Sequence, residues 1–155
     1  MFGRIDLESL EQSQLTDRWF VDCYPGLHYV VYPQYAFRVP DSEETIRIAR
    51  APKLDGDNGL RFWLSAEWLQ GWGGREQLMS SYTASAEFEV VSEAEFNAVV
   101  AAHSGELLAS PALPLHPQLG FVGALILHSM KTDFVVSIFA EYEDEFIHFY
   151  WDTTA

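Results

Sequence analysis

Near its C-terminal end the chain reads AEYEDEFIHFYWD over 140–152, with Glu141, Glu143, Asp144 and Glu145 packed into five positions. Carboxylates at that density do chemistry only when they converge: a pair can act in acid–base catalysis, and a larger set can hold a hard cation. Along one continuous strand 141, 143 and 145 would share a face at intervals of about 6–7 Å. The polarity changes abruptly between Tyr142 and Phe146, however, which predicts a turn near 143–144 that splays the charges into water. Like charges in water repel by about 1 kcal/mol each at roughly 4 Å, so such a cluster persists when it is solvated or when a cationic partner neutralises it. The expected feature is an exposed anionic loop held out by an aromatic strand from Phe146 to Trp151. Solubilising a very hydrophobic strand would account for the same residues.

Other stretches that resemble chemical motifs fail on spacing. DGDNG at 55–59 has the composition of a calcium loop, but counting from Asp55 puts Gly59 at position 5, Leu60 at position 6 and Ala66 at position 12, where a carboxylate, glycine and glutamate are required. It reads as a turn. GWGGRE at 71–76 could cradle an anion on its backbone N–H groups, yet it lacks both the P-loop Lys-Ser/Thr and the dinucleotide G-x-G-x-x-G. It is expected to be a loop presenting Trp72, and Trp63, Trp68 and Trp72 are the aromatic contacts to expect if that face meets a ligand. The five histidines, at 28, 103, 116, 128 and 148, form no H-x-H or H-x-x-x-H pair. A fold could bring His28, His128 and His148 together from three strands, and with a carboxylate they would make a metal site, but nothing in the spacing asks for it. Cys23 stands alone among Phe20, Val21 and Tyr24 as a small core residue, which excludes a disulfide framework. No G-x-S-x-G is present, and no cofactor motif is found.

The elements that must position these residues are mostly strands. Residues 6–15 predict a short helix with Asp6 as its N-cap. Aromatic and β-branched runs broken by Pro and Gly predict strands at 18–24, 27–32 and 34–39. TIRIARA at 45–51 and LRFWLSAEW at 60–68 read as two arms of a hairpin across DGDNG, with Arg61, Trp63, Ser65 and Glu67 on the outer face. YTASAEFEVV at 82–91 alternates with Glu87 and Glu89 toward water. SEAEFNAVVAAHSG then carries a capping box from Ser92 to Glu95, a staple from Val91 to Phe96 and a terminating Gly105, which predict a helix over about 92–104. After a Pro-rich loop, strands are expected near 119–130, 133–142 and 145–152, the last apolar on both faces and hence central or covered. The expectation is a single α+β domain spanning 1–155, with a mainly antiparallel curved sheet of about 7–9 strands, an N-terminal helix and one internal helix.

The hydrophobic fraction of 48% and aromatic fraction of 15% supply enough apolar surface to offset chain entropy, so a disordered protein is excluded. The N-terminal MFGRIDLESLEQ lacks the apolar run of a signal peptide, and no stretch approaches the roughly 20 apolar residues of a membrane span. A cytoplasmic protein is expected. Net charge is −14, and it is unevenly spread: residues 76–155 carry 12 acidic side chains against Lys131 alone. Such a field repels nucleic-acid phosphate and anionic membrane and steers a basic partner.

In size, acidity and lack of a catalytic motif the chain resembles bacterial immunity proteins that neutralise toxins. That profile implies a protein–protein interaction module in which Glu141, Glu143, Asp144 and Glu145, with Glu87 and Glu89, cover a basic effector while Trp72 and Trp63 supply aromatic anchors. Two other readings fit the same residues. An aromatic-lined α+β barrel could hold a small molecule or act as a modest enzyme through one His or Glu, or the chain could be an assembly subunit joined through an exposed strand.

Overall fold

The computed structural model describes residues 1–12, 24–69, 84–111, 119–128 and 134–153. The strand expected at 18–24 lies outside this set but for Tyr24, as do the Gly-rich segment with Trp72, the start of the strand expected at 82–91 and most of the Pro-rich loop. Three helices and six strands are formed by the described residues: α1 (Arg4–Gln12), β1 (His28–Tyr32), β2 (Glu44–Pro52), α2 (Leu60–Trp68), β3 (Glu87–Val91), α3 (Glu93–Ser104), β4 (Phe121–His128), β5 (Val135–Tyr142) and β6 (Glu145–Thr153). The class is α+β, and the strands make one sheet in the order β1-β2-β6-β5-β4-β3. Every neighbouring pair is antiparallel.

Among the described residues six strands form where about 7–9 were expected; the strand expected at 18–24 falls outside that set but for Tyr24, and two other expected strands are absent for physical reasons. Pro33 and Pro40 bracket a segment that forms a 3-10 turn at Gln34–Ala36 and a lone bridge from Phe37 to Leu107, because proline cannot donate to a ladder. The second reason is LRFWLSAEW, which is the helix α2 and not a hairpin arm. It contains no β-branched residue, and Leu60, Trp63, Leu64 and Glu67 fall at i, i+3, i+4 and i+7. The DGDNG turn delivers the chain into it: the Asp57 and Asn58 carboxyl and amide oxygens accept from the N–H groups of Gly59 and Leu60 at 2.8 and 3.1 Å. Gly59 has φ of 90°, and a Cβ there would lie 2.5 Å from the Phe139 ring, so only glycine fits between turn and sheet.

Period-2 alternation gives the sheet two inner faces. Phe139, Phe146, Ala49, Ala51, Leu125 and Leu127 face α1 and α2 and pack with Phe2, Leu7, Phe62, Trp63 and Leu64. Ile46, Ile48, Ile138, Ile147 and Phe149 face the opposite way and pack with Phe96 and Val100 of α3 and with Phe37 and Leu107. The sheet is thus covered on both sides, and β6, between β2 and β5, buries residues on both of its faces, as its apolar run requires.

The clearest local signal is realised in full at α3. Glu95 N–H donates to Ser92 Oγ at 3.1 Å while Ser92 N–H donates to Glu95 Oε2 at 2.7 Å, and Val91 and Phe96 are buried in the same cluster. Ser92→Ala removes half of this box without touching the core. It should lower unfolding free energy by about 0.5–2 kcal/mol in a denaturant titration, with an unchanged m-value; a loss below a few tenths would mean that the cap is not holding the helix.

Candidate functional site

The turn expected at 143–144 is present between β5 and β6, but the four carboxylates around it divide by where the pleat sends them. Glu141 is still on β5, opposite Phe146, and is only 1% exposed. Lys53 Nζ lies 3.1 Å from its Oε1 and the Met1 amino group 3.5 Å from its Oε2. A carboxylate taken inside must be paired, so Glu141 belongs to the interior and not to an exposed loop. Glu145 accepts from Arg50 Nη2 at 2.6 Å on both oxygens and is largely covered. Glu143 and, in part, Asp144 remain open to solvent. Their backbone is fixed: Glu143 N–H donates to the Gly120 carbonyl at 2.9 Å, and the Asp144 carbonyl accepts from Lys53 N–H at 2.8 Å.

Two carboxylates that the sequence reading did not assign to a surface join them. Val91 pairs with Ala124 and Phe121 with Tyr142, so the end of β3, the start of α3 and the β5–β6 turn lie at the same end of the sheet. Glu93 stands beside the Tyr142 phenol, whose pKa burial and that carboxylate push up to about 12. Glu93 and Glu95 are both exposed and both in the first turn of α3, where the helix dipole favours negative charge. The signal for this pair was the capping box itself, which fixes where the first turn begins.

The remaining expected contact residues do not belong to this group. Glu87 and Glu89 are exposed, but they sit toward the opposite end of β3: Glu87 pairs with His128, and Glu89 Oε2 lies 2.8 Å from His128 Nε2. Trp63 is 1% exposed, against Phe2 and Phe88, because the helical period turns it inward where a strand would have turned it out. It is a core residue and not a surface anchor. Trp72 lies outside the described residues. His28 and His128 face one side of the sheet from strands four spacings apart, while His148 faces the other side, so the three histidines do not meet. No group of three potential metal ligands occurs among the described residues.

A second polar cluster, which no local signal announces, lies entirely inside. Glu67 of α2, Ser137 of β5 and His148 of β6 are 0%, 2% and 0% exposed. Ser137 Oγ donates to Glu67 Oε1 at 2.5 Å, and His148 Nε2 lies 3.0 Å from each of those two oxygens. The serine proton is already directed at the carboxylate, so Nε2 must bring its own hydrogen, which assigns the Nε2–H form of His148. Nδ1 is then buried with no hydrogen-bond partner among the described residues.

The residue types are those of an acyl-transfer relay, but the order is wrong: there the carboxylate holds Nδ1–H while Nε2 takes the serine proton. Here both partners share Nε2 and the serine points its proton at the carboxylate. The arrangement is a strut that ties α2 to β5 and β6, and it gives no support to acyl-transfer chemistry. Beside it, Tyr150 has its phenol pKa raised by burial and by the Glu67 and Asp152 carboxylates, with the Arg47 guanidinium 5.8 Å over its ring.

Because these groups have no access to water, removing one leaves the others without compensation. Glu67→Ala leaves the Ser137 hydroxyl and the His148 Nε2–H without their acceptor, at about 1–3 kcal/mol each in chemical denaturation, and a Glu67→Met, His148→Phe double variant should cost less than Glu67→Ala alone. A double variant worse than Glu67→Ala would show that the cluster is not one coupled unit. Compared with protein-family models, with curated proteins and with solved structures, the chain matches none.

Proposed function

We propose that this protein is an acidic binding module that acts in the cytoplasm by occupying a basic surface on a partner protein, as an inhibitor of the immunity type would neutralise a basic effector or toxin. One observation carries the reading. Glu93, Glu95, Glu143 and Asp144 gather at one end of the sheet, where Lys53 and Arg50 are already engaged by Glu141 and Glu145. That end presents negative charge with its local cations turned inward.

Preorganisation adds to the argument. The turn carrying Glu143 and Asp144 is bonded to Gly120 and Lys53 through its backbone, and Glu95 is held by the capping box. Ordering these groups on binding therefore costs little. Charges arranged in this way set on-rate and partner choice more than raw affinity, which suits recognition of a basic protein and disfavours nucleic acid. No described helix is long and apolar enough to cross a membrane.

The test is affinity capture at low salt from extracts of the source organism, repeated with a Glu93→Gln, Glu143→Gln, Asp144→Asn triple variant. The wild type should retain a basic protein. The variant should bind it at least about tenfold more weakly and with a shallower dependence on salt. Retention of the same protein equally by the variant, or recovery of no protein partner at low salt, would remove the basis of the proposal.

A further inference from the structure

Asn58-Gly59 is the one Asn-Gly pair in the chain, whose other asparagine, Asn97, precedes Ala98 inside α3. Such a pair reacts with itself, because a glycine without Cβ leaves its nitrogen unhindered and its backbone free to bend. The Gly59 nitrogen attacks the Asn58 side-chain carbonyl carbon. The side-chain amide leaves as ammonia, carrying the proton given up by the Gly59 N–H, and a cyclic succinimide closes. Water then opens the ring at either carbonyl and leaves aspartate or isoaspartate.

The folded turn holds both reacting groups. Gly59 N–H donates to Asp57 Oδ1 at 2.8 Å, and a carboxylate there opposes the loss of the proton on which attack depends. Asn58 Oδ1 is engaged by Leu60 N–H at 3.1 Å. Asp57 is itself anchored, since its Oδ2 accepts from the Tyr24 hydroxyl at 2.9 Å, and burial pushes that phenol pKa up to about 12, so it stays a donor. The main chain is tied on both sides of the reacting bond: Phe2 N–H donates to the Asn58 carbonyl at 2.8 Å and Trp63 N–H to the Gly59 carbonyl at 2.9 Å. Gly59 also lies against the Phe139 ring. Ring closure needs the Asn58–Gly59 peptide to rotate, which breaks these bonds.

We propose that Asn58 is a deamidation site whose reaction the folded turn withholds, so that its modification records local opening of the turn that starts α2. Where opening and closing are fast beside ring closure, the rate follows the population of the open turn. The isoaspartyl product cannot return to the native turn. Its backbone is longer by a methylene, the carbonyl that accepted from Phe2 becomes a free carboxylate, and Gly59 is displaced from its place against Phe139. The new charge also joins Asp55 and Asp57 in the same turn. The aspartyl product keeps the native backbone and an oxygen for Leu60 N–H, so the two products differ in stability. The reaction needs no partner and stands or falls apart from the binding proposal.

Peptide mapping by mass spectrometry of the full chain, aged in mildly alkaline buffer both folded and in urea, tests the proposal. Enzymatic methylation of isoaspartate separates the two products, and Asn97 serves as the internal reference. In urea Asn58 should deamidate well ahead of Asn97, and in the folded chain at least about tenfold more slowly than in urea. Asp57→Ala removes the acceptor of both the Gly59 N–H and the Tyr24 hydroxyl and should raise the folded-state rate severalfold. Ser92→Ala, which loosens α3 instead, should leave that rate unchanged, with circular dichroism showing that each variant is folded. Equal rates at Asn58 in the folded and unfolded wild type would overturn the proposal whether or not Asp57→Ala folds. So would Asn58 reacting no faster than Asn97 in urea, a folded Asp57→Ala at the wild-type rate, or equal acceleration by Ser92→Ala.

Discussion

A strand buried on both faces imposes a condition on every charge near it, because a carboxylate that follows the pleat inward must find a cation or a donor there. β6 is such a strand, and β5 beside it carries Glu141 into the same interior. The condition is met by recruiting β2 and the segment after it: Lys53 goes to Glu141, Arg50 to Glu145 and Arg47 to Asp152. Glu67 is met by Ser137 and His148. Basic residues are scarce in this chain, nine against 23 acidic ones, and so assigning three of them to the centre of the sheet decides what remains outside.

The surface charge is therefore partly a consequence of how the core is completed. Glu143 and Asp144 lie between Glu141 and Glu145 in sequence, yet the turn leaves Glu143 in water and Asp144 partly so once the cations nearby have been drawn to the interior pair. α3 adds Glu93 and Glu95 because the sheet places the end of β3 alongside the start of β4, and the helix begins at once.

Features specified within a few residues were legible in the sequence. The capping box at Ser92 and Glu95 fixed α3 to within a residue, and the polarity switch after Tyr142 located the β5–β6 turn. LRFWLSAEW is ambiguous, because Leu60, Phe62, Leu64, Ala66 and Trp68 satisfy period 2 while Leu60, Trp63, Leu64 and Glu67 satisfy the helical period. Only the absence of β-branched residues separates the two. The same ambiguity decides whether Trp63 points outward or, as in the helix, into the core. The interior position of Glu141 depends on whether the strand continues one residue past Ala140, and its partners lie on β2's flank and at Met1, far away in sequence. Glu67, Ser137 and His148 meet only through the sheet order, since 70 residues separate the first two and 81 separate the first from the last.

The claim that most needs a direct measurement is that interior pairing leaves one end of the sheet as the anionic surface. Amide chemical-shift mapping during titration with a lysine-rich peptide reports this residue by residue. Shifts should be largest at Gly120, Ser92–Glu95 and Glu143–Asp144, with the Glu141 amide little affected because Lys53 and Met1 already occupy its carboxylate. Shifts that centre on Glu87 and Glu89, or that spread evenly over all exposed carboxylates, would contradict it.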